Sequence, residues 1–128
     1  MIEYWHANAE TQGGKAVKAL VEKFNDSQDE VKVKDVYNSG MYQGLMQNLQ
    51  SQVAAGNTPA IVQIGWAYRE YFANNFKFTE PQKLIENYFP EDKEYITNTF
   101  ALNFIDLAKM KRDIKSDYRT LLVPQCYF

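Results

Sequence analysis

The first half of the chain switches between two hydrophobic rhythms, one of period two and one of period 3.6, and the switches predict its elements. Ile2 to His6 is a short run of branched and aromatic residues, which predicts a strand. Val17, Leu20, Val21 and Phe24 fall at i, i+3, i+4 and i+7, on one face of a helix that Thr11 is placed to cap. Asn25 to Asp29 is a polar turn. Val31 and Val33 then alternate with lysine, and the run through Val36 and Tyr37 predicts a second strand. Asn38-Ser39-Gly40 breaks it. Tyr42, Leu45, Met46, Leu49 and Val53 form the stripe of a second helix, with Gly56 where a left-handed cap belongs and Pro59 barring continuation. Ala60 to Ile64, apolar apart from Gln63, predicts a third strand covered on both faces.

The order β-α-β-α-β implies an α/β fold with a mostly parallel sheet, right-handed crossovers and helices on both faces. The second half reads as more helical. An aromatic-rich helix or turn is expected from about Trp66 to Phe76, a short helix from Pro81 capped by Thr79, and a longer one from near Pro90 to about Asp113. Leu121-Leu122-Val123 predicts a last strand, stopped by Pro124. The 128 residues suit one domain, which can bury roughly two-thirds of the surface of its unfolded chain.

Charge removes several function classes. Lys and Arg number 14 against 16 Asp and Glu, so nothing favours nucleic acid or an anionic membrane as partner. No apolar run approaches the roughly 20 residues that span a bilayer. No export signal precedes Ile2, which fits either a cytoplasmic protein or an exported one whose signal segment is absent. The single Cys126 cannot form an internal disulfide. With one His and one Cys, a zinc site is not expected, and no Walker or G-x-G-x-x-G sequence implies a cofactor. An enzyme would have to use His6 with Glu10, in a flavodoxin-like frame without an evident nucleophile. Gly13-Gly14-Lys15 reads as a loop turning into a helix, and Lys109, Lys111, Arg112 and Lys115 as a solvated helix end.

In open α/β sheets ligands sit beyond the carboxyl ends of the strands. Those ends deliver Trp5 and His6, then Tyr37, Asn38 and Ser39, then Gly65 and Trp66, with Gln63 the polar residue of the third strand. Aromatic faces with amides and hydroxyls suit sugars, whose rings stack on aromatics while their hydroxyls take hydrogen bonds.

Particular segments resemble a known family. They are Ile2-Glu3-Tyr4-Trp5-His6, Gly14-Lys15, Leu20 to Asn25, Val31-Lys32-Val33, Val36-Tyr37, Tyr42 and above all Ala54 to Ile64. Together they resemble the extracellular solute-binding proteins that feed carbohydrate and glycerol-phosphate ABC importers. The resemblance runs from residue 2 to about 66 and weakens toward Pro124. It implies a periplasmic-binding-protein-like type II lobe, with residues 1–128 the N-terminal lobe and the second lobe absent. It further implies a non-enzymatic binder of a sugar or oligosaccharide, delivering it to ABC permease subunits. The expected location is extracytoplasmic, in a periplasm or lipid-anchored at the cell surface. In glycerol-phosphate-binding relatives the position of Tyr42 contacts ligand, and that of Trp66 is a glutamate that also does. An indole cannot accept hydrogen bonds as a carboxylate does, and this departure favours a sugar. A sheet short of later strands is expected to pair with another copy, as a homodimer or by strand exchange. A lobe that only self-associates as a scaffold is the remaining alternative.

Overall fold

The computed structural model describes residues 1–100, together with the backbone of Lys109–Lys111 and Tyr118–Thr120. The chain divides into two compact units, Met1–Gly65 and Trp66–Phe128.

In the first unit three parallel strands form a sheet with β1 (Ile2–His6) central, β2 (Val33–Tyr37) on one side and β3 (Ile61–Val62) on the other. Ile2 pairs with Val33 and His6 with Tyr37 across one ladder, and Tyr4 pairs with Ile61 across the other. The chain moves outward from β1 to β2, then returns past β1 to β3. Crossovers of one hand put α1 (Lys15–Ser27) and α2 (Met41–Ala54) on opposite faces of such a sheet. The α/β architecture and its β-α-β-α-β start are therefore as the sequence predicts. The pleat sends Ile2, Tyr4, His6, Val33, Asp35, Tyr37 and Ile61 to one face and Trp5, Val36, Asn38 and Val62 to the other. Val17, Leu20, Val21 and Phe24 of α1 share a groove with Ile2, Tyr4, Val33 and Ile61, which assigns α1 to the first of these faces.

Helix α2 is the buried one. Its Leu45, Met46 and Leu49 are almost fully enclosed, with Trp5 and Ile64 also buried. Gly56 has φ +85 and ends the helix as expected. Asn57 N–H donates to Gln52 O at 2.8 Å and Gly56 N–H to Val53 O at 3.1 Å, the paired bonds of a Schellman cap.

Three expectations in this unit need correction. Thr11 does not cap α1. The chain makes one more turn at Glu10–Gly14, where Gly13 has φ 92, and Asn8 Nδ2 donates to Gln12 O at 3.0 Å before the helix opens at Lys15. Strand β2 starts at Val33, because the Gln28 amide binds both the N–H and the C=O of Val31 and closes a turn there. Strand β3 is not covered on both faces, since Ile61 is 47% exposed. Helix α1 is tied toward β2 instead: Asn25 donates to Val33 O and accepts from Val33 N–H, each at 2.8 Å. Lys32 Nζ donates to the α1 carbonyls of Asn25 at 2.6 Å and, just beyond the helix, Gln28 at 2.9 Å, a cation at a helix C-terminus.

The second unit contains a turn at Trp66–Tyr68, α3 (Arg69–Asn75), α4 (Pro81–Tyr88) and α5 (Asp92–Thr99). It also holds an antiparallel pair, β4 (Lys109–Lys111) with β5 (Tyr118–Thr120). Phe72 is buried, with the Phe76 and Phe78 rings each 5.1 Å from its own. Pro81 opens α4 as expected, but Glu80 and not Thr79 holds the cap position, and its side chain makes no capping hydrogen bond. The long helix to Asp113 is not formed. Helix α5 ends at Thr99, Phe100 is extended, and Lys109 and Lys111 lie in a strand, not at a helix end. Thr97 and Thr99 turn their hydroxyls back onto the carbonyls of Lys93 and Tyr95, a habit that weakens a helix at its end. Leu121 to Val123 and Cys126 lie outside the described residues. Among the described residues no helix is long and apolar enough to cross a membrane.

Candidate functional site

The carboxyl edge of the sheet is built around β1, where the connections leave in opposite directions. At this switch point the backbones of neighbouring strands diverge and leave a crevice. Gln63 bridges it. Its N–H donates to Trp5 O at 2.8 Å, and its side-chain Oε1 accepts from Ala7 N–H at 3.0 Å.

Trp5 and His6 are adjacent in β1, so the pleat points them to opposite faces. Trp5 is 7% exposed, and its indole N–H donates to Glu3 Oε2 at 2.9 Å. An indole so enclosed offers no face to a sugar ring: it packs. His6 is 2% exposed, with the rings of Tyr4 and Tyr37 at 5.7 and 6.0 Å. Its Nδ1 accepts from Asn8 N–H at 3.2 Å, which leaves the proton of the neutral ring on Nε2. Nε2 lies 3.8 Å from Asp35 Oδ2, beyond hydrogen-bonding range, and has no hydrogen-bond partner among the described residues. Burial lowers the His6 pKa below its ordinary 6.5, and the Asp35 carboxylate opposes that shift without cancelling it. The His6 and Glu10 pairing that an enzyme would need is not formed. Glu10 is exposed and faces Lys15 at 4.0 Å, while His6 faces Asp35.

Asn38 extends the ladder, donating its N–H to His6 O at 2.8 Å. Its side chain is buried and bonded at both ends, Nδ2 to Val36 O and Oδ1 from Asn48 Nδ2 at 2.6 Å. Trp5, His6 and Asn38 thus frame the edge without presenting surface on it. The expected residues that do present surface are Ser39, which is exposed, and Tyr42 and Gln63, which are half-buried. Trp66, 43% exposed, opens the second unit, and the Arg69 guanidinium lies 3.5 Å over its ring. Among the described residues no three His, Cys, Asp or Glu side chains come together as a metal site would need.

Two residues at this edge stand outside those that the sequence pattern singles out. Asn8 follows β1, and its buried Oδ1 has no hydrogen-bond partner among the described residues, a placement no sequence pattern signals. Gly65 reads as a strand end, and a glycine there also signals close approach by another group. Tyr42 makes that approach.

No family model matches the chain, and no solved structure matches it. It is similar to the sn-glycerol-3-phosphate-binding periplasmic protein of Pectobacterium atrosepticum, being 41% identical over 66 residues. That match takes in 49% of this chain and 14% of the relative, so the chain spans a small part of the relative's length. The similarity is to a periplasmic binding protein and not to an enzyme, which agrees with the family resemblance of the sequence.

Proposed function

We propose that this chain is the N-terminal lobe of an extracytoplasmic solute-binding protein that delivers a sugar or oligosaccharide to an ABC permease. The observation that carries this reading is the 41% identity to a periplasmic binding protein, in a chain whose parallel sheet has its switch point at β1. Ser39, Tyr42 and Gln63 are the residues of the first unit in contact with solute, and Trp66 is proposed as a contact on the ground of the resemblance alone. Trp5, His6 and Asn38 hold the edge in shape behind them. The relative's name specifies glycerol 3-phosphate. A sugar is favoured here because Trp66 brings an apolar ring where the resemblance leads one to expect a carboxylate. Binding by a clamp of two lobes shifts the population toward the closed form, and that is what a permease reads. Among the described residues β2 and β3 each pair only with β1, and self-association through these edges is part of the proposal.

Titration with maltotriose and with glycerol 3-phosphate, followed by tryptophan fluorescence and calorimetry, tests it. Because Trp5 is enclosed and Trp66 exposed, saccharide should change the Trp66 emission, and Trp66→Phe should abolish that signal and weaken binding several-fold. Heat and fluorescence unaltered by both compounds would sink the reading.

A further inference from the structure

Gly65 lies at the exit of β3 and does not have positive φ, unlike Gly13, Gly40 and Gly56. Its backbone is therefore open to any residue, and the need for glycine must come from its surroundings. A Cβ at position 65 would stand 2.5 Å from Cγ, 2.7 Å from Cβ and 2.9 Å from Cδ1 of Tyr42. The Tyr42 ring rests directly on the bare α-carbon of Gly65.

The opposite side of Tyr42 is equally constrained. Gly40 has φ 83 and Met41 has φ 57, so two consecutive left-handed residues precede Tyr42 as the chain enters α2. Such a conformation is costly for methionine and persists only where its neighbours impose it. Gly44 closes the turn, its N–H donating to Gly40 O at 2.9 Å. A side chain at Gly44 would collide with the Ser39 carbonyl. One turn thus sets where the α-carbon of Tyr42 begins, and Gly65 sets where its ring ends.

We infer that Gly65 is a positioning residue for the solute site: by lacking a side chain it seats the Tyr42 ring against the exit of β3 and fixes the orientation in which Tyr42 meets ligand. The ligand half of this statement rests on the proposed solute-binding function. The seating of the ring does not.

The test uses the whole chain with labelled tyrosine rings. Gly65→Ala should shift the Tyr42 ring signals in a carbon–proton spectrum and weaken maltotriose or glycerol 3-phosphate binding at least tenfold. In a Tyr42→Gly background, which removes the Cβ as well as the ring, the same change should have no further effect relative to Tyr42→Gly alone, because the collision is gone. If Gly65→Ala does not fold, recovery of the melting temperature in the double variant supports the seating in the same way. Unmoved ring signals overturn the inference, as does a double variant damaged as badly as Gly65→Ala alone. A ring that moves while affinity holds overturns its ligand half. A wild-type chain that binds neither probe counts against the solute-binding function, and the ring signals then still decide whether Gly65 seats Tyr42.

Discussion

The two faces of the first unit's sheet each meet a helix with an apolar stripe and end up in different states. On the α2 face, Leu45 and Leu49 are each 2% exposed, and Trp5, which the pleat sends to the side away from α1, is 7% exposed. On the α1 face, Leu20 is 67% and Phe24 46% exposed, α1 buries no residue fully, and an apolar groove of about 370 Å³ remains between helix and sheet. Hydrophobic spacing identifies the side a helix will turn inward. It does not say how much apolar surface waits there. Helix α2 is enclosed on its stripe, whereas α1 is tied toward the β2 edge by the Asn25 and Lys32 hydrogen bonds, and the strip of sheet at Tyr4 and Ile61 is left bare.

The largest effect should come from the closed face. Leu49→Ala removes buried methyl groups and leaves a cavity, which is expected to lower stability by about 2–5 kcal/mol. Urea unfolding followed by circular dichroism measures it. A loss below about 1 kcal/mol would mean that the α2 face is no better packed than the α1 face, and the contrast would collapse.

That contrast separates what the sequence discloses from what it conceals. β1, α2 and the Gly56 cap were legible, because their signals are local: a branched run, a stripe, a glycine at the right offset. The exposure of Ile61 was not, since it depends on where α1 docks, and the docking is decided by Asn25 and Lys32 through polar bonds that hydrophobic spacing does not register. The caps at Thr11 and Thr79 failed because the turn after β1 and the cap at Glu80 are shaped by backbone bonding rather than by a hydroxyl. The ends of β1 and β2 read from the sequence lie at the carboxyl edge of the sheet. The pleat, however, was enough to show that neighbours Trp5 and His6 cannot face the same ligand. The seating of Tyr42 on Gly65 joins residues far apart in sequence and needed the fold.

A pH series sharpens the comparison, because the open face encloses one polar ring. Folded His6 holds a proton less readily than the unfolded chain does, its pKa being lowered from 6.5 by burial. Above 6.5 both states are neutral and the stability of the folded chain is unaffected by this group. As pH falls through 6.5 the unfolded chain takes up a proton that the folded chain resists, so stability declines until the lowered folded pKa is reached, and then levels off. Melting temperatures between pH 7.5 and 5 should show this decline, and His6→Gln should flatten it relative to wild type. An equal slope in both proteins would place His6 in contact with water, and the enclosure of its ring on this face would be wrong.

The smallest effect is expected at Leu20, and it is the most discriminating. Leucine and glutamate have similar helix propensities, and a side chain 67% exposed forfeits little when it becomes polar. Leu20→Glu should therefore change stability by no more than about 0.5 kcal/mol, as substitutions away from a core do. A loss well above that would show that something covers the groove in solution. Protein concentration then tells what: a cover supplied by a second copy makes the melting temperature of the wild type rise with concentration, while that of Leu20→Glu stays flat. A cover supplied from within the chain gives the same loss at every concentration. Either outcome would turn the open face of the sheet from a property of the fold into a property of what meets it.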